Sequence, residues 1–420
     1  MPSRRRVLTG LAAGAVTLSH GRAAAQARAQ VVVVGGGFAG ATCARALKAQ
    51  SPQLAVTLVE PNARFVACPL SNAVVAGLRG LDAQSFTYGG VERAGVQVAR
   101  QAAAAVDPAR RRVRLADGSE LAYDRLVIAP GVDFDFAALP GYDAAAAERL
   151  PHAWKAGEQT LLLRRQLEAM DDGGLVVMAI PANPFRCPPG PYERASLIAH
   201  YLKTHKPRSK LLLLDAKDNF SKQRLFEAAW RELYPGMIEW VSLSFGGRVT
   251  SVDPTTRILR TEFGDHRAAV ANVIPPQRAG AIARAAGVAD ATGWCPVDPV
   301  NFESRLQPGV HVIGDAAIGG AMPKSAFTAN AQAKVCASAI AALLAGAAPA
   351  PQKLINTCYS LVAPDYGISI AGVYEPRDGL LTEVAGAGGV SPLDAPREVR
   401  ALEASYAEGW FATITAEVFG

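Results

Sequence analysis

Gly35, Gly37 and Gly40 stand at G-x-G-x-x-G spacing, directly after four valines and ahead of an alanine-rich stretch. Gly35 permits a tight turn and Gly37 lets backbone approach a pyrophosphate. Gly40 lets the following helix lie close on the strand, with its N-terminal N–H groups facing the phosphates. Glu60 comes twenty residues after Gly40, at the end of a second apolar run, where an acid accepts ribose hydroxyls. Strand, turn, helix, strand and acid follow in order, so residues 31–60 are expected to bind an adenine dinucleotide.

The cysteines are the second set of residues with chemistry to offer. Cys187 precedes a predicted helix start, where the helix dipole favours a thiolate, and Glu193 falls in the first turn of that helix, placed to relay a proton. Cys68 lies between apolar residues and a proline in NARFVACPLSN, and Cys358 lies near the C-terminal end of the chain. Cys43 and Cys336 fall on alanine-rich helices and read as small buried hydrophobes, whereas the role of Cys295, in GWCPVD, stays open, with core packing favoured. Six cysteines allow many pairings, and spacing alone does not choose among them. No C-x-x-C or C-x-x-C-H occurs, which leaves no simple thioredoxin motif and no c-type haem site within the chain. The six histidines are scattered, with His200 and His205 five apart and off one helix face, and no metal is expected.

The elements that must position these residues can be read from period and turn signals. Strand-like runs at Val96–Val98, Arg111–Leu115 and Leu126–Ala129 follow the first unit, with Asp117-Gly118 marking a hairpin. Ala129-Pro130-Gly131 closes this block, where flavoproteins often return to the nucleotide. A second strand–helix–strand unit runs from Leu175–Ile180 through a helix starting near Tyr192-Glu193 to Lys210–Asp215. Its turn reads PANPFRCPPGPYE, with prolines where a pyrophosphate needs glycines, so a nicotinamide cofactor is disfavoured despite Asp215 at the strand end. Val310 to Ala316 is an apolar strand ending in Gly314-Asp315, an acid suited to the hydroxyls of a ribityl chain, and residues 323–345 form the next helix.

Ahead of all this, Arg4-Arg5-Arg6, the apolar run Leu11–Leu18 and Ala23-Ala24-Ala25 form a basic start, a short apolar core and a small-residue cleavage site. That order predicts a twin-arginine export signal over residues 1–25 and a periplasmic location. Four arginines and no acid fall within it, so the formal charge drops from +6 to +2 without it. The remaining chain carries no dense basic block interleaved with aromatics, which argues against nucleic acid. The apolar stretch near Ala337–Ala348 is short and Ala/Gly-rich, a core helix and not a membrane span.

The segments GGGFAG, FVACPLSN, PHAWKAGEQT, PFRCPPGPYERA, IPPQRAG, GWCPVD, HVIGDA, MPKS and NTCYS together resemble the flavoprotein subunit of flavocytochrome c sulfide dehydrogenase, within the flavoprotein disulfide reductase superfamily. The resemblance covers essentially the whole chain after the leader. It implies an α/β fold of two Rossmann-like dinucleotide-binding domains, one for FAD and a degenerate NAD-like one, with a smaller C-terminal domain. The FAD domain would span 30–150 and 272–345, the NAD-like domain 151–271, and a C-terminal interface domain 346–420. It further implies that Cys68 bonds covalently to the flavin, that Cys187 and Cys358 form a redox-active disulfide beside it, and that Glu193 lies near that disulfide. Lys324, in MPKS, would place positive charge by the flavin pyrimidine. The implied reaction is oxidation of hydrosulfide to sulfur or polysulfide, with electrons passed to a cytochrome c subunit docked on the aromatic-rich residues 346–420. Two rivals are a sulfide:quinone oxidoreductase and an accessory protein that only carries sulfur.

Overall fold

The computed structural model describes residues 28–420, and the arginine-rich leader lies outside them. The first sheet has five parallel strands in the order Val310–Val312, Arg125–Ile128, Gln30–Val34, Ala55–Val59, Gln97–Ala99. Val31 to Val34 are buried in succession, as an unbroken apolar run must be when both faces of a parallel sheet are covered. The helix Phe38–Gln50 leaves Gly37 and packs along the helix Ala326–Leu344. Their contact is made of small residues, Ala41, Cys43 and Ala44 against Ala333, Cys336 and Ala337, all fully buried. Ala326–Leu344 is long and apolar enough to cross a membrane, yet it lies largely inside this core. Asp117-Gly118 turns the antiparallel pair Arg112–Leu115 and Glu120–Ala122, with Gly118 at φ +87°.

A second parallel sheet runs Ile238–Val241, Lys210–Asp215, Leu175–Ile180, Val270–Val273. The helix Gly190–His205 follows Leu175–Ile180, beginning two residues earlier than its apolar pattern suggests because Pro191 is tolerated in the first turn. The fold is therefore the doubled Rossmann arrangement expected from the sequence.

The chain ends in an antiparallel sheet built on Leu354–Ala363 and Tyr366–Arg377, followed by the helix Arg397–Phe419. This part does not stand apart. Leu354, Tyr374 and Phe411 join the core of the first sheet, whereas Val362, Tyr366 and Ile368 join that of the second. Phe419 packs among Phe38, Phe65 and Phe86 at ring separations of 5.2–6.0 Å. The expectation of an aromatic docking surface is corrected accordingly. Tyr366 and Tyr374 are buried, Tyr359 and Trp410 pack against the core, and of the five aromatics only Tyr406 is exposed.

The close approach at Gly40 gives a direct test of this packing. A Cβ there would lie 1.8 Å from the Gly35 carbonyl oxygen, whereas one at Gly80 would meet nothing within 4 Å. Gly40→Ala is expected to lose about 1–3 kcal/mol or more in urea unfolding, and Gly80→Ala well under 1 kcal/mol.

Candidate functional site

A cavity of about 550 Å³ opens at the ends of the first sheet and reaches the C-terminal strands. Gly35, Gly36 and Gly37 form one end of it. Gly35 has φ +101°, and a Cβ on it would lie 2.3 Å from the Ala129 carbonyl oxygen; a Cβ on Gly36 would lie 2.5 Å from the Tyr88 hydroxyl. Neither position admits a side chain. Gly37 caps the helix in extended conformation with no side-chain hydrogen bond, so the helix N–H groups stay available to an anion. Glu60 is buried on the same wall, where its Oε2 accepts from the Gly36 N–H at 2.9 Å and its Oε1 from the Asn62 N–H and Nδ2 at 2.9 and 2.7 Å. Pro130 lines the wall beside them, and Gly40 sits behind it as a packing residue.

Three buried polar atoms of residues lining this cavity have no hydrogen-bond partner among the described residues: Tyr88 Oη, Trp154 Nε1 and Asp315 Oδ1. Orphaned polar atoms are costly, at about 1–3 kcal/mol each, and their convergence on a single cavity marks a polar ligand. Burial pushes the Asp315 carboxyl above the usual range, although Arg186, 3.8 Å from its Oδ2, and Lys324 pull it back. Gly314 does not line the cavity. Its positive φ of 74° and the bond from its N–H to Gln332 Oε1 at 2.9 Å aim Asp315 inward.

Cys68, Cys187 and Cys358 all lie on this cavity, although they sit on a loop, a turn and a strand far apart in sequence. Cys187 and Cys358 are free thiols in this structure. The Cys187 N–H donates to the Lys324 carbonyl at 2.8 Å, which ties the turn of the second unit to the first. Its thiol rests against the helix start, where a Cβ on Gly190 would approach Sγ to 2.9 Å. The dipole does not win there. Burial, then the neighbouring Cys358 and Glu193, raise the Cys187 thiol far above its ordinary value, and Lys222 and Arg186 only partly oppose this. The sequence expectation of a dipole-favoured thiolate is thus corrected by desolvation.

Glu193 is buried beside these thiols, with its Oε1 accepting from Asn72 Nδ2 at 3.3 Å. Burial raises its carboxyl to about 7 against the pull of Lys222 and Arg194. Lys324 departs from its expected place. It is not on the cavity wall: its ammonium donates to the carbonyls of Asp315 and Ala317 at 2.7 and 2.8 Å and lies 4.0 Å over the ring of Trp294. It fixes the Asp315 backbone instead. Cys295, left open by the sequence, is fully buried in the core of the first sheet.

Three cations here escape a sequence reading. Arg186 donates to the Trp154 carbonyl, which is also 3.8 Å from Cys68 Sγ. Arg194 donates to Asn72 Oδ1, Asn272 Oδ1 and the carbonyls of His152 and Ala153, and lies over the Trp154 ring at 4.8 Å. Lys222 donates to the Cys358 carbonyl, Ser360 Oγ and the Ile368 carbonyl. Arg186 and Arg194 adjoin Cys187 and Glu193 in sequence, a signal that could have found them; nothing marks Lys222. Among the described residues, no group of three or more His, Cys, Asp or Glu side chains comes together as a metal site.

The corresponding site of the second unit is filled by the protein itself. Asp215, fully buried, accepts from Tyr192 Oη at 2.6 Å, Trp240 Nε1 at 3.0 Å and Lys217 Nζ at 2.5 Å. Tyr192 stacks on Phe220 at 3.6 Å.

Comparison with known proteins agrees with this division. Residues 29–168 match the family described as pyridine nucleotide-disulphide oxidoreductase, 160–275 the central part of the sulfide dehydrogenase [flavocytochrome c] flavoprotein chain, and 350–419 the flavocytochrome c sulphide dehydrogenase flavin-binding family. The sulfide dehydrogenase [flavocytochrome c] flavoprotein chain of Chlorobaculum thiosulfatiphilum is 60% identical over 45 residues, which is 11% of this chain and 94% of that sequence. The mitochondrial sulfide:quinone oxidoreductase of Mus musculus is 25% identical over 305 residues, 68% of this chain, and the match spans 65% of the mouse protein's length. The sulfide:quinone oxidoreductase structure from Aquifex aeolicus superposes with a TM-score of 0.72 over 93% of this chain and 92% of that one, at 16% identity, a likeness of fold. The cofactor that the glycine cradle, the flavin-binding match and the orphaned Asp315 oxygen suit is FAD.

With Asp215 already committed to three donors, NADH and NADPH at micromolar concentration are expected to leave the flavin absorbance of the purified protein unchanged over minutes. Rapid bleaching by either would overturn this reading of the second site.

Proposed function

The chain belongs to the family of flavocytochrome c sulfide dehydrogenase flavoprotein chains, and from that premise we propose that it oxidises hydrosulfide to polysulfide and passes the electrons to a c-type cytochrome subunit. The observation that carries the reading is the meeting of three elements on one cavity: the glycine cradle, Cys68, and the Cys187 and Cys358 thiols backed by Glu193. The cradle, Glu60 and Asp315 would hold FAD, and Cys68 would link it covalently. When bound, FAD supplies two-electron acceptance and one-electron release, which dithiols alone do not combine.

In the oxidised state Cys187 and Cys358 form a disulfide. Hydrosulfide attacks one of its sulfurs, making a new S–S bond to that cysteine, breaking the Cys187–Cys358 bond and leaving a thiolate on the other. Glu193, near neutrality in its affinity for a proton, accepts the one that hydrosulfide brings. A second hydrosulfide takes the outer sulfur as hydrodisulfide. The sum is two hydrosulfides converted to one hydrodisulfide, one proton and two electrons, and loss of the electrons restores the disulfide. The chain has no C-x-x-C-H, so the haem belongs to another chain. A periplasmic site reached through the arginine-rich leader suits such a partner.

A second reading keeps the chemistry and changes the acceptor to a quinone, and the mouse and Aquifex relatives favour it. Sulfide added without oxygen is expected to bleach the flavin, and cytochrome c, supplied with any co-purifying haem subunit, to restore it at a higher rate than a soluble quinone. Faster restoration by quinone would transfer the assignment to the second reading.

Acid precipitation tests the covalent link separately. Yellow colour is expected in the wild-type pellet and in the supernatant of Cys68→Ala. Release of the wild-type flavin would remove Cys68 from that role.

A further inference from the structure

The residue that stands out beyond the proposed machinery is Lys222. It lies at φ +61°, immediately ahead of the helix Gln223–Leu233, and is buried although it is a lysine. Its three N–H donors are all used, on the Cys358 carbonyl at 2.9 Å, Ser360 Oγ at 2.8 Å and the Ile368 carbonyl at 3.3 Å. A neutral donor could hold two carbonyls and a hydroxyl equally well. An ammonium taken out of water for that purpose alone adds several kcal/mol of desolvation without return. The charge itself therefore calls for an explanation.

Its surroundings supply one. Cys358 and Ser360 are two apart on the strand Leu354–Ala363, so their side chains project from the same face. Ser360 Oγ accepts a hydrogen bond from Lys222 at 2.8 Å, and Glu193 is a further charged group near the ammonium. The titratable groups that face the ammonium are Cys358, Glu193, Cys187 and, from the C-terminal helix, Glu403. Glu403 is already satisfied by Ser369, Ser391 and Arg400. That leaves the two thiols and Glu193 as the groups whose charge Lys222 answers.

We propose that Lys222 is a positioning residue that holds a positive charge behind Cys358 and stabilises the thiolate formed when the Cys187–Cys358 bond opens. The inference rests on the proposed use of that cysteine pair. When the bond opens, two electrons and one proton are to be accommodated: the thiolate carries the charge opposite Lys222, and the proton resides on Glu193. Burial favours the neutral form of both the lysine and the Glu193 carboxyl, and the charge of each helps to keep the other ionised.

The test is the pH dependence of iodoacetamide alkylation of the anaerobically reduced holoprotein, with the labelled cysteine located by mass spectrometry. No sulfide and no acceptor enter the assay, so its failure is distinct from a failure of the proposed activity. Lys222→Gln keeps donors for the carbonyls and removes the charge; the midpoint of alkylation at Cys187 and Cys358 is expected to rise by about one pH unit or more. Lys222→Arg should restore it to near the wild-type value. Glu193→Gln, which removes a negative neighbour, should move it down. An unchanged midpoint in a folded Lys222→Gln, together with a lowered melting temperature, would reduce Lys222 to a tie between strand and helix and overturn the proposal. Should the variants not fold, wild-type protein labelled with 15N-lysine decides: one ammonium resonance must titrate at higher pH in the reduced than in the oxidised protein, and no such difference overturns the inference equally.

Discussion

An ionised side chain withdrawn from water costs several kcal/mol unless fixed partners replace its hydration, and this protein keeps Arg186, Glu193, Arg194, Lys222 and Asp315 behind one cavity. Each is held by partners from elsewhere in the chain. Arg194 alone gathers Asn72, the loop at His152 and Ala153, and Asn272. Removing one member of such a set typically costs about 3–5 kcal/mol, because the others are left buried and unanswered. These bonds tie together the segments that carry Cys68, Cys187 and Cys358: Arg186 reaches the Trp154 carbonyl beside Cys68, and Lys222 the Cys358 carbonyl. The cavity lining brings the cations Arg64, Lys155, Arg186 and Arg194 together with the carboxyls of Glu60, Glu193 and Asp315, and burial opposes the ionisation of Glu193 and Asp315.

Much of the frame was legible in the sequence because the signals are local. An unbroken valine run, a glycine spacing, an Asp-Gly turn and prolines in the second turn each act within a few residues, and each lies where the pattern put it. The charged network was not legible. A buried lysine and a solvated one are the same letter, and Lys222 becomes unusual only when the strand with Cys358, Ser360 and Ile368 folds over it. The Cys187 thiol failed in the same way: its place before a helix start is readable, but the depth of burial that outweighs the dipole is a tertiary property. Lys324 shows the converse, a conspicuous motif lysine whose ammonium is used on two backbone carbonyls.

The C-terminal strands explain how two dinucleotide units come to serve one site. Leu354–Ala363 and Tyr366–Arg377 contribute side chains to the cores beneath both sheets, and Phe419 is locked among aromatics of the first. Cys358 is therefore delivered by an element whose position depends on both units at once. Cys187 comes from the turn of the second, and that turn is anchored to the first through its N–H bond to the Lys324 carbonyl. The two thiols thus report on the registry of the whole molecule, not on either unit alone.

This arrangement also bears on the turn of the second strand–helix–strand unit. A turn that admits a pyrophosphate must present bare backbone N–H groups, which requires glycines at the close approaches. The turn here must instead hold Cys187 at φ +58° against the helix start, and prolines before and after it narrow the conformations open to the thiol. The same few residues cannot do both. Once the turn had been given to a cysteine, Asp215 at the next strand end had no ribose to bind, and a buried carboxylate without partners is intolerable. Tyr192, Trp240 and Lys217 occupy its oxygens, and Phe220 stacks on Tyr192. The committed Asp215 and the proline-flanked Cys187 turn lie at the ends of neighbouring strands of one sheet, and both depend on the same short segment.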